Sequence, residues 1–149
     1  MPDKFHSGTV NAPAIAALGK GVEYVLKRGA ENIADYENNL ASRFRKNLIN
    51  MDGVTVYGDG QGMATVAFNI DGLDSGEVSA IIGKKAALRA GYHCAPLAHR
   101  ALGTQKTGAV RVSFGIYNKK RDVDRVTDMI YSVCKEVILR GSLESLETE

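Results

Sequence analysis

With 149 residues, 44% of them hydrophobic, the chain can bury one substantial core and is too short for two full-sized domains. Lys and Arg number 19 against 17 for Asp and Glu, scattered rather than run together, which gives no footing for a nucleic-acid or membrane-surface role. Nothing approaches the roughly 20 apolar residues that span a bilayer, and the start lacks the apolar segment of a secretory signal, so a cytoplasmic location is expected.

A single domain over 1–149 is expected, with an N-terminal arm to about residue 11 and a frayed polar tail from about 142. Asn11-Ala12-Pro13 reads as a helix start, a capping residue followed by a proline tolerated in the first turn. Ile15, Leu18, Val22, Val25 and Leu26 then recur at helical spacing, which predicts a helix over 12–28 stopped by Gly29. Ile33, Tyr36, Leu40, Phe44, Leu48 and Ile49 mark one face of a second helix ending near Asn50. From Val54 the period changes. Residues 54–57 and 65–70 are β-branched and aromatic runs separated by a glycine-rich stretch, the pattern of paired strands.

Asp74 or Ser75 can cap a helix carrying Val78, Ile81 and Ile82, and residues 87–90 form a plausible short strand. A Gly/His/Pro-rich loop follows at 91–96, then a short segment from Leu97 to Leu102 and a strand over 109–114. Asn118 offers an N-cap for a last helix, over about 120–139, with Val123, Val126, Ile130, Val133, Cys134 and Val137 on one face. Together these elements imply an α+β fold: a small, largely antiparallel sheet, with the helices at 12–28 and 120–139 covering one face.

Cys94, beside His93 and close to Arg89 in a loop of glycine and proline, has the setting of a reactive thiolate. The plainer alternative is a buried cysteine next to an ordinary loop histidine. A thiol protease would need a base such as His99 and a third orienting group, and no protease signature surrounds the cysteine. Zinc would need about four ligands where His93, Cys94 and His99 supply three, so no metal is expected. Arg111 sits mid-strand among apolar residues, facing either an anion or, by strand alternation with Ser113, plain solvent. Ser7-Gly8-Thr9, just ahead of a helix, could present backbone N–H groups and a hydroxyl to a phosphate or simply lead into the helix. Cys134, within an apolar helix face, reads as packing, and no disulfide with Cys94 is expected.

Three segments in this order carry a resemblance: Phe5-His6-Ser7-Gly8-Thr9-Val10-Asn11-Ala12-Pro13-Ala14-Ile15, Arg89-Ala90-Gly91-Tyr92-His93-Cys94-Ala95-Pro96, and Val110-Arg111-Val112-Ser113-Phe114-Gly115-Ile116-Tyr117-Asn118. From about Phe5 to Val137 the chain resembles the C-terminal small domain of the cysteine desulfurase and selenocysteine lyase family. These are class V, aspartate-aminotransferase-like enzymes that use pyridoxal phosphate (PLP). The continuation from Pro96 to Thr104 is most similar to a bacterial desulfurase-like subgroup.

By this resemblance Cys94, with His93 beside it, takes sulfur from the substrate as a persulfide. Arg111 holds the substrate carboxylate, Arg89 is a second arginine near the reacting sulfur, and Gly8 and Thr9 reach the PLP phosphate of a partner subunit. The resemblance implies L-cysteine or L-selenocysteine as substrate, a homodimer, and a protein that accepts the sulfur. Tyr92 stands where histidine is common in this branch. Lys119-Lys120-Arg121 replaces the usual acidic helix start, a mismatch with the helix dipole worth a few tenths of a kcal/mol to about one. No lysine here has the Ser/Thr-x-His-Lys setting of the PLP lysine. The chain is therefore expected to be part of a larger enzyme, or a split subunit, and inactive alone. The alternatives are a selenocysteine lyase, another class V enzyme, or a stand-alone sulfur-carrier or interaction domain.

Overall fold

The computed structural model describes residues 8–60 and 62–146, the side chains of the last five excepted. The chain separates into two compact units, one ending at Asp35 and the other beginning at Tyr36. In the first unit, α1 (Ala12–Arg28) begins where the sequence predicts, with Asn11 Oδ1 accepting from the Ala14 N–H at 3.0 Å. It stops at Gly29, whose φ of 82° is a left-handed value and whose N–H returns to the Val25 carbonyl. α1 buries none of its residues: Leu18 is 68% and Leu26 76% exposed. The buried core takes no residue from it. An amphipathic pattern shows that a helix has a face suited to burial, and leaves open which surface buries it.

The second unit holds the sheet. Its strands are β1 (Val54–Tyr57), β2 (Thr65–Ile70), β3 (Arg89–Gly91) and β4 (Ala109–Ser113), all antiparallel, in the order β1-β2-β4-β3. Alternation along β2 and β4 sends Val66, Phe68, Val110 and Val112 to one face, where they are buried. Three helices cover that face. α2 (Ala30–Ile49) contributes Leu40, Phe44 and Leu48, α3 (Ser75–Ile82) contributes Val78 and Ile82, and α5 (Lys120–Leu146) contributes Val123, Ile130, Val133 and Cys134. Phe44 lies at the centre, edge-on to Phe68 at 6.0 Å and to Phe114 at 5.4 Å between ring centroids. The small antiparallel sheet covered on one face by helices is thus present.

Several boundaries move, each for a local reason. Asp74 is the cap of α3, in a full capping box with Glu77. That leaves the Ser75 hydroxyl to accept from the Gly91 N–H at 3.2 Å, which ties β3 to α3. β3 begins at Arg89 rather than residue 87 and includes Gly91, paired with Ala109. The Leu97–Leu102 segment is a helix, α4 (Pro96–Leu102), ended by left-handed Gly103. Asn118 does not cap α5. Its Oδ1 accepts from the Gly115 N–H, and the Asp122 carboxylate takes the Lys119 N–H instead, both at 2.8 Å. α5 also runs on to Leu146, through the expected tail. Among the described residues no helix is long and apolar enough to cross a membrane.

Because Phe44 is fully buried between two rings, Phe44→Ala should destabilise the chain by about 3–5 kcal/mol. Leu18→Ala, on a helix that buries nothing, should stay within about 1 kcal/mol of wild type. Urea unfolding measures both, and equal losses would contradict this division of the core.

Candidate active site

β3 delivers the chain into a tight turn. Past Gly91, the Ala95 N–H reaches back to the Tyr92 carbonyl at 2.9 Å, and between them His93 (φ 50°) and Cys94 (φ 58°) both take left-handed backbone conformations. Neither is glycine or asparagine, so each carries strain of about 1–3 kcal/mol that the surroundings must hold. The imidazole of His93 supplies one tether, with Nε2 3.0 Å from the Ala109 carbonyl on β4. A carbonyl only accepts, so Nε2 carries the proton in that bond. α4 supplies another: its His99 N–H bonds the Ala95 carbonyl directly after the turn. The Cys94 thiol is left exposed.

Burial pushes the His93 pKa down. The bond to Ala109 opposes this, while the positive charges of Arg111 and Arg89 add to it. A neutral imidazole protonated at Nε2 has a bare Nδ1, and that atom is buried with no protein partner. Cys134 has the opposite setting to Cys94, buried in the core with its thiol pKa raised, by burial first.

On the face of the sheet away from the core, Arg89 and Arg111 are partners in the β3–β4 register. They line a cleft of about 330 Å³ with Ala87, Leu88 and Ser113. Two like charges directly opposite on one face are unfavourable. Among the described residues, neither guanidinium has an acidic side chain in salt-bridge range. Two forks of donors converging on one cleft suit a small anion, a carboxylate above all. The question left open for Arg111 resolves into a combination: it points away from the core, as alternation requires, and lies half-buried in a cleft. A larger hollow of about 590 Å³, between β4 and α5, carries none of the candidate catalytic, substrate-binding or cofactor-binding residues.

The turn and the cleft are neighbours, since His93 feels the charge of both arginines. Gly8 and Thr9 belong to the first unit, both exposed just ahead of the α1 N-terminus, while Phe5, His6 and Ser7 lie outside the described residues. The first turn of α1 holds no acidic residue, and its N–H groups are already taken: Ala12 by the Val10 carbonyl, Ala14 by Asn11 Oδ1 and Ile15 by the Asn11 carbonyl, with Pro13 having none. Sequence reasoning missed Thr104, whose hydroxyl lies 2.7 Å from Nδ1 of buried His99. The helix-ending Gly103 between the two was the available signal, because the chain reversal after it brings the next residue back onto the last turn.

An exposed cysteine on a left-handed turn and a cleft lined by two arginines, carried by a small antiparallel sheet with helices on one face, mark an α+β domain. The sequence profile of the aminotransferase class-V family matches residues 1–126, and the chain belongs to that family. A cysteine desulfurase of Haloferax volcanii is 33% identical over 134 residues, which cover 87% of this chain and 31% of that protein. The solved apo cysteine desulfurase of Thermococcus onnurineus superimposes with a TM-score of 0.82 at 29% identity, over 91% of this chain and 34% of that one. An Escherichia coli cysteine desulfurase does so with 0.80 at 26%, over 91% and 33%. The chain thus spans about a third of the length of these proteins.

Two outcomes follow from the site's geometry. Iodoacetamide should modify Cys94 much faster than Cys134 in the native chain, as followed by peptide mass spectrometry, and equal rates would contradict the placement of the two thiols. Because the folded His93 pKa lies below the unfolded value near 6.5, the unfolded chain takes up a proton that the folded chain refuses. Its contribution is therefore complete above that value and is lost as pH falls below it. Melting curves should show the His93→Asn variant losing less stability than wild type between neutral and mildly acidic pH.

Proposed function

We propose that this chain is the sulfur-accepting, substrate-orienting part of a PLP-dependent cysteine desulfurase, working as a homodimer in the cytoplasm and passing its sulfur to an acceptor protein. The observation that carries the reading is the exposed Cys94 on its strained turn beside two arginines that lack acidic partners. Arg111, with Arg89 across the register, takes the carboxylate of L-cysteine as a charge-assisted fork and so fixes where the substrate sulfur lies.

The Cys94 sulfur attacks the substrate sulfur. A new S–S bond forms, the substrate Cβ–S bond breaks, and the electron pair of that bond stays on Cβ. The proton that leaves the Cys94 thiol ends on Cβ, with the neighbouring His93 as the group proposed to carry it. The products are L-alanine and a Cys94 persulfide, with no outside oxidant or reductant. When bound, PLP supplies the electron sink that lets Cβ carry the pair. Gly8 and Thr9 are the residues of this chain that would touch its phosphate, through backbone N–H groups and a hydroxyl. The exposure of the turn supports the hand-over, since a persulfide must reach a second protein.

In the full enzyme containing this chain, Cys94→Ala should leave PLP bound and abolish alanine production from L-cysteine. Arg111→Ala should raise KM for cysteine by about 10–100-fold, the loss of a charged hydrogen-bonding fork. Steady-state alanine assays decide. Full activity in Cys94→Ala would show that another group accepts the sulfur.

A further inference from the structure

The strain in the Tyr92-His93-Cys94 turn needs a support that neither the arginine cleft nor the sulfur chemistry provides. His99 is 4% exposed, although histidine is usually at least partly solvated. Its Nδ1 shares a 2.7 Å hydrogen bond with the Thr104 hydroxyl, and the Thr104 N–H bonds the His99 carbonyl at 2.9 Å, so ring and backbone are both tied to the same residue. Two side chains of the turn lie against this fixed ring: Tyr92 edge-on at 5.1 Å and His93 tilted at 6.3 Å between centroids. The His99 N–H holds the Ala95 carbonyl on the far side of Cys94. His99 therefore meets the turn on both sides of the thiol.

We infer that His99, locked by Thr104, is a positioning residue that keeps His93 and Cys94 in their left-handed conformations and so fixes the direction in which the Cys94 thiol is presented. The residue does not touch the reacting atoms. Its bond to Thr104 sets the ring plane, and the ring plane sets where Tyr92 and His93 can rest. An apolar side chain of similar size would fill the space without that fixed orientation, and the turn would relax toward extended backbone, which His93 and Cys94 both prefer. The bearing of this on sulfur transfer rests on Cys94 being the acceptor; the turn itself does not depend on that.

The test is made on the chain as it stands, by NMR. Backbone carbon shifts and HN–Hα couplings at His93 and Cys94 report left-handed φ directly, and slow alkylation of Cys134 reports an intact core in the same sample. His99→Leu should lose the left-handed signature at both residues while Cys134 stays protected. His99→Asn, which places a polar atom at the same bond distance from Cβ as Nδ1, should keep it. Persistence of the signature in His99→Leu with Cys134 protected would overturn the inference. If His99→Leu exposes Cys134, Thr104→Val decides by the same comparison, since it preserves volume and deletes only the hydroxyl: loss of the signature supports the inference and retention overturns it. The readout involves neither cysteine nor PLP, so failure here is distinct from failure of Cys94 as the sulfur acceptor.

Discussion

Strand β4 lies between β2 and β3, and its pairing has to satisfy two faces at once. Val110 and Val112 must enter the core against Phe44 and the helices, while Arg111 must leave it. A slip of one residue would drive a guanidinium among Phe68, Val66 and Phe44 and push two valines into water, a change no local adjustment repairs. The same register sets Arg111 opposite Arg89 and brings the Ala109 carbonyl to His93. Hydrophobic burial on one face thereby fixes the geometry of the polar face.

The polar face holds two unfavourable arrangements side by side, a like-charged arginine pair and two consecutive left-handed residues of ordinary type. Strain of this kind persists where the surrounding structure over-determines it, and it concentrates at functional sites. Here the supports are specific: the sheet register for the arginines, and the bonds from His93 to Ala109 and from His99 to Ala95 for the turn. An anion in the cleft would attract both arginines and so offset their mutual repulsion. That makes the cleft a place where a ligand stabilises the chain as well as being held by it.

Much of this was legible in the sequence wherever one periodicity or one cap decides the outcome. The start of α1 at Asn11, β1, β2, β4 and the burial of Cys134 follow from local pattern, whereas local pattern leaves the exposure of Cys94 open against a buried alternative. What was not legible depends on partners distant in sequence. The opposition of Arg89 and Arg111 exists only once a register is chosen, and residues 22 apart announce no register. Asn118 has the chemistry of a cap, yet it serves the turn before the helix because Asp122 already accepts the Lys119 N–H. The apolar stripe of α1 is legible as a stripe, but which surface it would bury is not, because amphipathicity carries no address. His99 has the chemistry of a base or a metal ligand, whereas its burial and its bond to Thr104 suit a supporting place.

The central claim is that Cys94 receives sulfur from cysteine. It is tested most directly by incubating the full PLP-loaded enzyme with L-cysteine, blocking free thiols, and reading peptide masses without reductant. The account predicts a mass gain of one sulfur atom on the peptide carrying Cys94, removed by a reductant, with the Cys134 peptide unchanged. Alanine production with no added sulfur at Cys94, or sulfur on Cys134 instead, would contradict it.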